Sequence, residues 1–359
     1  MSGTTTHQRI VVLGAGYAGL SVAKRAGKRR PVTLVAPEER LLHRVRLHET
    51  AAGHGRQWPT IGHLVRGRQV DHRRARAVGI DLADHRVRLD DGTTLGYDTL
   101  VYALGSRTAW HDVPGAAEHA YSAEQAAEID HRLRTADRPG TLAVVGGGPT
   151  GIELATELAE SHPQWRVHIV AAGQVGGLYS PRGRAHVLRA LDRLGVTVHE
   201  QATVTAVTAD GLRTTTGPVD AEVTVWAASL EPHPLAAEAG LAVDARGRAV
   251  VDDRLRSVSH PDVHVVGDAA AVTLPGIGTL RMGCATALPM GRYLGKLLDG
   301  ATTAPYSFKY VAQCVSLGRH DGLLQLIHAD DSMRPTVLTG TAGRLAKAAI
   351  VGGVYGALK

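Results

Sequence analysis

Cysteine is scarce in this chain, with only Cys284 and Cys314 among 359 residues, 30 positions apart. That spacing excludes a CxxC redox pair, and it fits a reducing compartment in which the two thiols simply pack. Long apolar runs are missing as well, since no uninterrupted stretch reaches the roughly 18 residues that nominate a membrane span. The start, MSGTTTHQRIVVLG, carries no charged leader before its first apolar strand, so a cytoplasmic protein is expected. The 19 histidines show no metal-ligand spacing; no metal site is expected, and they read as surface or core residues. Forty Lys and Arg against 34 Asp and Glu leave +6, much of it in Arg66, Arg68, Arg73, Arg74 and Arg76. No aromatic residue interleaves that run for base stacking, so it reads as a solvated basic face, with nucleic acid disfavoured as a partner.

What is present is globular. Hydrophobic residues make up 44% and charged residues 21%, which excludes disorder and fibres. The length suffices for two or three domains. An internal duplication organises it. Arg9 to Ala36, RIVVLGAGYAGLSVAKRAGKRRPVTLVA, predicts a strand, a glycine turn, a helix carrying Leu20, Ala23 and Lys24, and a second strand. Thr141 to Ala171 repeats that order, and the first glycines of the two turns lie 132 positions apart, close to one dinucleotide-binding domain. Short alternating strands between Ala77 and Ser106 predict a β-meander returning to a parallel sheet, and a similar set ends in AEVTVWAAS. HPDVHVVGDAA, residues 260–270, supplies one more apolar strand, expected to close the first sheet.

Gly14, Gly16 and Gly19 form GxGxxG between a strand and a helix, with Ala15, Tyr17 and Ala18 as the intervening positions. The first glycine permits the tight turn, the second lets the backbone approach a pyrophosphate, and the third lets helix and strand pack closely. One such motif is a weak signal; two in matched βαβ settings are strong. The second uses Gly146, Gly148 and Gly151, with Gly147 and Pro149 tightening the loop and Thr150 following. An acid normally ends the second strand to hold a ribose hydroxyl, yet Ala36 and Ala171 stand there. Glu38 or Glu39 can substitute in the first copy; nothing acidic follows in the second until well beyond Gln174, which leaves NADH and NADPH both open. Asp268, after Gly267, sits at a strand end where a carboxylate can accept from ribityl hydroxyls, and a helix within residues 281–296, including Ala287, is placed to stabilise negative charge on a reduced flavin. Glu153 lies one turn into the second nucleotide helix, facing the point where nicotinamide and flavin should meet.

The ordered set GAGYAG (14–19), YDTLVYALGS (97–106), GGGPTGIELA (146–155), VTVWAAS (223–229) and HVVGDAA (264–270) resembles the flavoproteins with two dinucleotide-binding domains, which include type II NADH dehydrogenases, ferredoxin reductases and apoptosis-inducing-factor-like proteins. RVRLHETAAG (44–53) and SLGRHDGLLQ (316–325) look most like the type II NADH dehydrogenase branch. The resemblance implies an α/β fold with two Rossmann-type domains carrying meander inserts: residues 1–111 and 241–305 for FAD, 112–240 for NADH or NADPH, and 306–359 as a C-terminal domain covering the flavin. The flavin-side candidates are then Gly14, Ala15, Gly16, Tyr17, Ala18, Gly19, Glu38, Arg44, Ala77, Ala103, Gly105, Gly267, Asp268 and Ala287. Gly146, Gly148, Pro149, Thr150 and Gly151 are the nicotinamide-side candidates, and Glu153 is the catalytic candidate.

Family quinone reductases show paired glutamines where this chain has Pro289 and Met290, so weak and unselective quinone reduction is expected, with Met290 offering the acceptor a soft apolar surface. Other acceptors stay open: another small metabolite, or a ferredoxin-like carrier docked on the basic run 66–76. A flavoprotein that mainly binds partners is the reading from a different class. GRLAKAAIVGGVYGALK (343–359) can lie on a membrane surface, or pack as a core or homodimer segment.

Overall fold

In this computed structural model residues 9–359 are described; residues 1–8, counted above in the first domain and in the reading of the chain's start, lie outside them. The apolar runs form parallel strands buried on both faces, as continuous Val/Ile/Leu runs do. β1 (Ile10–Leu13), β2 (Val32–Val35) and β3 (Val70–Arg73) lie side by side, and α1 (Tyr17–Ala26) connects the first two. All four β1 residues are within 2% of full burial, each contributing about 1.5–3 kcal/mol. The meander β4 (Ala77–Asp81), β5 (Arg86–Leu89) and β6 (Thr94–Gly96) follows; β5 alternates exposed arginines with buried Val87 and Leu89, so only one face meets the core. β7 (Thr99–Tyr102) then returns beside β1.

β8 (Ser106–Thr108) leaves this sheet for the second one. There β9 (Ala120–Ser122), β10 (Thr141–Val145), β11 (Arg166–Val170) and β12 (Thr197–His199) precede a second meander, β13 (Val204–Thr208), β14 (Gly211–Thr214) and β15 (Gly217–Asp220), and β16 (Val223–Trp226). The order is β12-β11-β10-β16-β9, all parallel. The chain leaves through β17 (Leu230–Pro232), antiparallel to β8, so the two crossings run together. β18 (Val263–Val265) then pairs parallel with β7 and closes the first sheet, as expected.

Helices α2 (Leu47–Ala51), α3 (Ala126–Arg134), α4 (Pro149–Ser161) and α5 (Pro181–Arg193) flank these sheets, and α2 packs against both α3 and α4. α6 (Cys284–Leu298) lies on α1, where a β-carbon on Gly291 would sit 2.4 Å from the Ala18 carbonyl oxygen. An antiparallel sheet of β19 (Ala312–Ser316), β20 (Gly322–Ile327) and β21 (Met333–Thr339) follows, covered by α7 (Gly340–Gly356).

Candidate active site

The two glycine turns are built alike. Gly14 (φ +99°) donates its N–H to Val35 O at 2.8 Å, and Gly146 (φ +128°) donates to Val170 O at 2.8 Å. A β-carbon on either would lie 2.4 Å from a carbonyl oxygen, of Ala103 or of Ala227. One on Gly19 or Gly151 would lie 1.9 Å from the oxygen of the turn's own first glycine. The fold therefore demands the first and third glycines. The middle ones answer to something else: around Gly16 and Gly148 a β-carbon would meet nothing within 4 Å. Each caps its helix, α1 or α4, without a side-chain hydrogen bond, and neither helix has an acid in its first turn. First-turn N–H groups with no capping side chain beside open space can receive a pyrophosphate.

A cavity of about 680 Å³ runs from one turn to the other. Its wall includes Gly14 to Ala18, Glu38, Arg44, Ala77, Ala103, Gly105, Gly267, Asp268 and Ala287 from the first candidate set, and Gly148, Pro149, Thr150 and Glu153 from the second. Gly19, Gly146 and Gly151 stand behind that wall, where their close contacts require them. Asp268 is aimed by two donors, the Ser106 hydroxyl at 2.6 Å and the Gly283 N–H at 2.7 Å, which ties the end of β18 to the start of α6. Its two oxygens keep lone pairs for a polyhydroxyl chain. Arg44 spends its donors on Ser106 O (2.7 Å) and Glu124, and so supports the wall from within the protein. The Tyr17 hydroxyl bonds His43 Nδ1 (2.8 Å) and accepts from Val45 N–H (3.3 Å). Glu38 lies exposed in the loop after β2, at the wall and in no helix.

Glu153 carries a group that the sequence did not disclose. Its Oε1 accepts from Lys347 Nζ and from Ser316 N–H (3.2 Å), Lys347 Nζ also donates to Ser316 Oγ (2.6 Å), and His48 Nδ1 lies 3.5 Å from Oε2. Burial pushes the Glu153 carboxyl up, but the Lys347 ammonium, with the hydrogen bonds from Lys347 and the Ser316 N–H, outweighs it, and the group lies below its ordinary value. Burial also holds His48 down at about 4, so its ring is neutral near pH 7. His48 is a buried histidine that also lines this cavity. Lys347 shares a helix face with buried Val351 and Val354, at spacings of four and seven; a cation in an apolar stripe was the one available signal.

Residues 8–291 match the pyridine nucleotide-disulphide oxidoreductase family. This chain belongs to that family. The oxidoreductase is 30% identical over 378 residues to the type II NADH:quinone oxidoreductase NdhA of Mycobacterium tuberculosis, covering 89% of this chain and 78% of that one. It is 26% identical over 333 residues to the NADH dehydrogenase-like protein YutJ of Bacillus subtilis, covering 88% and 91%. Among solved structures, NDH2 from Plasmodium falciparum in complex with NADH superposes with a TM-score of 0.84 at 14% identity, covering 97% of this chain and 95% of that one, which speaks for the fold.

Two expectations about the oxidoreductase need correcting. Cys284 and Cys314 do more than pack: both line the cavity, and burial raises each thiol to about 11. Met290 offers nothing to an acceptor. It is 1% exposed, with its Sδ accepting the Gly267 N–H at 3.3 Å, and Pro289 is absent from the cavity wall. At 100° per residue α6 turns position 290 towards the core beneath Gly267, so the missing glutamines bear on packing. Of the basic run, Arg66, Arg68, Arg74 and Arg76 are exposed, Arg73 pairs with Asp91 at 2.6 Å, and Arg76 reaches the cavity wall.

Proposed function

We propose that the protein takes hydride from NADH or NADPH onto FAD and passes the electrons to a quinone. The carrying observation is one cavity that joins two uncapped glycine-turn helices and has the Glu153 and Lys347 pair in its wall. Residues 9–111 and 241–305 then form the FAD-binding unit, 112–240 the nicotinamide-nucleotide unit and 306–359 a cover. Bound FAD supplies the two-electron chemistry of hydride acceptance and release. Gly16 and Gly148 admit the two pyrophosphates, and Asp268 holds the hydroxyl-bearing chain.

The net reaction, NAD(P)H plus quinone plus one proton giving NAD(P)⁺ plus quinol, consumes one proton, drawn in the end from solvent. Lys347 Nζ holds one beside Glu153 Oε1 and Ser316 Oγ, on the cavity wall, and these three atoms can pass it inward. Leu42, Leu178 and Ile350 on the same wall are 41%, 49% and 43% exposed, an apolar rim suited to a quinone ring and tail. Leu345 and Ile350 of α7 project outward, so an acceptor dissolved in a bilayer enters most directly if α7 rests on its surface. No helix among the described residues is long and apolar enough to cross a membrane.

The purified protein should be yellow, release its flavin on acid denaturation, bleach anaerobically with NADH or NADPH, and regain colour with a quinone. A colourless protein that takes up no FAD, or a flavin that neither nucleotide reduces, would overturn the proposal. Reoxidation by an acidic ferredoxin with no response to quinones would move the acceptor to the basic face.

A further inference from the structure

A nucleotide on the second glycine turn presents its adenosine ribose outside the carboxyl ends of the strands, beside the second strand of that βαβ unit. That strand is β11, and Ala171 after it has no side-chain acceptor. The neighbouring strand supplies the missing carboxylate. β11 and β12 pair with His168 opposite Thr197, Ile169 opposite Val198 and Val170 opposite His199, which brings Glu200 alongside Ala171 at the next position. Backbone bonds continue that pairing, from Ala171 N–H to His199 O and from Ala202 N–H to Ala171 O, both 2.9 Å.

Glu200 is not a lone acid. Oε1 accepts from Val175 N–H and from Arg184 Nη2, both at 2.6 Å, and Nη2 reaches Oε2 at 2.8 Å. Arg184 Nε donates to Val175 O at 3.2 Å, so one ion pair clamps the segment that follows β11. The same segment touches the glycine turn: a β-carbon on Gly147 would lie 2.9 Å from Ala171 Cβ and 3.1 Å from Val175 Cα.

We propose that Arg184 and Glu200 read the adenosine 2′ position and that this pair admits NADPH as well as NADH; the proposal rests on the second turn being the nicotinamide-nucleotide site. A lone carboxylate here would repel a 2′-phosphate, whereas the Arg184 guanidinium cancels that charge. Both side chains stay partly open, 25% exposed for Arg184 and 29% for Glu200. Oε2 has one donor and retains lone pairs for a ribose hydroxyl. Arg184 Nη1 makes no hydrogen bond among the described residues, and its N–H groups are available to phosphate oxygens. NADH thus uses the acid of the pair and NADPH the base.

The test combines calorimetric titration of the FAD-loaded protein with adenosine 2′,5′-bisphosphate and with AMP, and anaerobic stopped-flow reduction by both nucleotides. The bisphosphate should bind at least as tightly as AMP, and kcat/KM for NADPH should fall within about tenfold of that for NADH. Arg184→Met should lower the NADPH to NADH ratio on the order of tenfold to a hundredfold, the worth of one charge-assisted hydrogen bond. Because that change also loosens the clamp, Ala171→Glu serves as a second variant: it sets two carboxylates against the one Arg184 guanidinium and should lower the same ratio while the Arg184 and Glu200 side chains are both retained. A wild-type preference for NADH beyond about a hundredfold, or a ratio that neither variant moves, overturns the proposal. If neither nucleotide reduces the flavin while the bisphosphate binds more tightly than AMP and Arg184→Met abolishes that advantage, the hydride-transfer reading falls and the 2′ site stands.

Discussion

Lys347→Met should cost about 3–5 kcal/mol of stability near pH 8, because it leaves the Glu153 carboxylate buried without its cation. The sign of the pH dependence follows. In the wild type the depressed Glu153 carboxyl contributes stability that is present above its ordinary value of 4.5 and lost as pH falls through the lower folded value. In the variant burial, the largest influence on this carboxyl, is no longer opposed by the ammonium and is countered mainly by the Ser316 N–H, so the carboxyl rises, protonation on acidification relieves the strain and the deficit shrinks towards pH 5. Adding Glu153→Gln should restore stability to within about 1–2 kcal/mol of wild type, since a neutral pair has no bare charge to bury. Reoxidation of the flavin by quinone should stay slow in both variants, because neither retains a proton donor at Nζ. Urea titrations at pH 8 and pH 5.5 read the first effect. A single variant as stable as wild type at pH 8, or a deficit equal at both pH values, would contradict the assigned ion pair.

Gly148→Val should abolish reduction by NADH and NADPH, with a loss of at least about a hundredfold in kcat/KM, while the protein keeps its fold and its flavin. The structure explains why the fold survives. Gly148 is extended, at φ −83° and ψ −179°, a conformation that a β-branched residue accepts, and a β-carbon there meets nothing within 4 Å. The poorer helix cap costs about 1 kcal/mol. The branched side chain then occupies the space a pyrophosphate needs. Dithionite should still bleach the variant. Gly151→Ala provides the contrast, since its methyl would lie 1.9 Å from the Gly146 oxygen and should cost stability as well as activity. A folded Gly148→Val protein that has lost FAD and kept its nucleotide affinity would show the two turns to be assigned the wrong way round.

Much of the site was legible because glycine turns write their geometry into the sequence. Gly14, Gly19, Gly146 and Gly151 are required by carbonyl oxygens that any such turn brings close, so their spacing alone announces them. The closing strand β18 was legible for a related reason, an apolar run ending in Gly-Asp with no sheet of its own to join. Lys347 and His48 were not, because what matters in them is a contact made across 194 residues in one case and across α2 and α4 in the other. Met290 misled: a family correspondence in sequence says which residue stands at a position, while the helix phase decides whether it faces the ligand or the core.

The route of the chain also sets an order of birth. Every strand of the second parallel sheet lies between Ala120 and Trp226, so that sheet is complete as soon as this stretch has left the ribosome. The first sheet begins to be made earlier and finishes later, because β7 waits for Val263–Val265, and Asp268 follows them. At a synthesis rate of roughly 5–20 residues per second, β7 spends many seconds as a bare apolar edge of the kind that invites wrong pairing. The nascent chain is therefore most in need of protection along β7, and the Gly14 turn, made before the second sheet, is joined by Asp268 only after that sheet is complete.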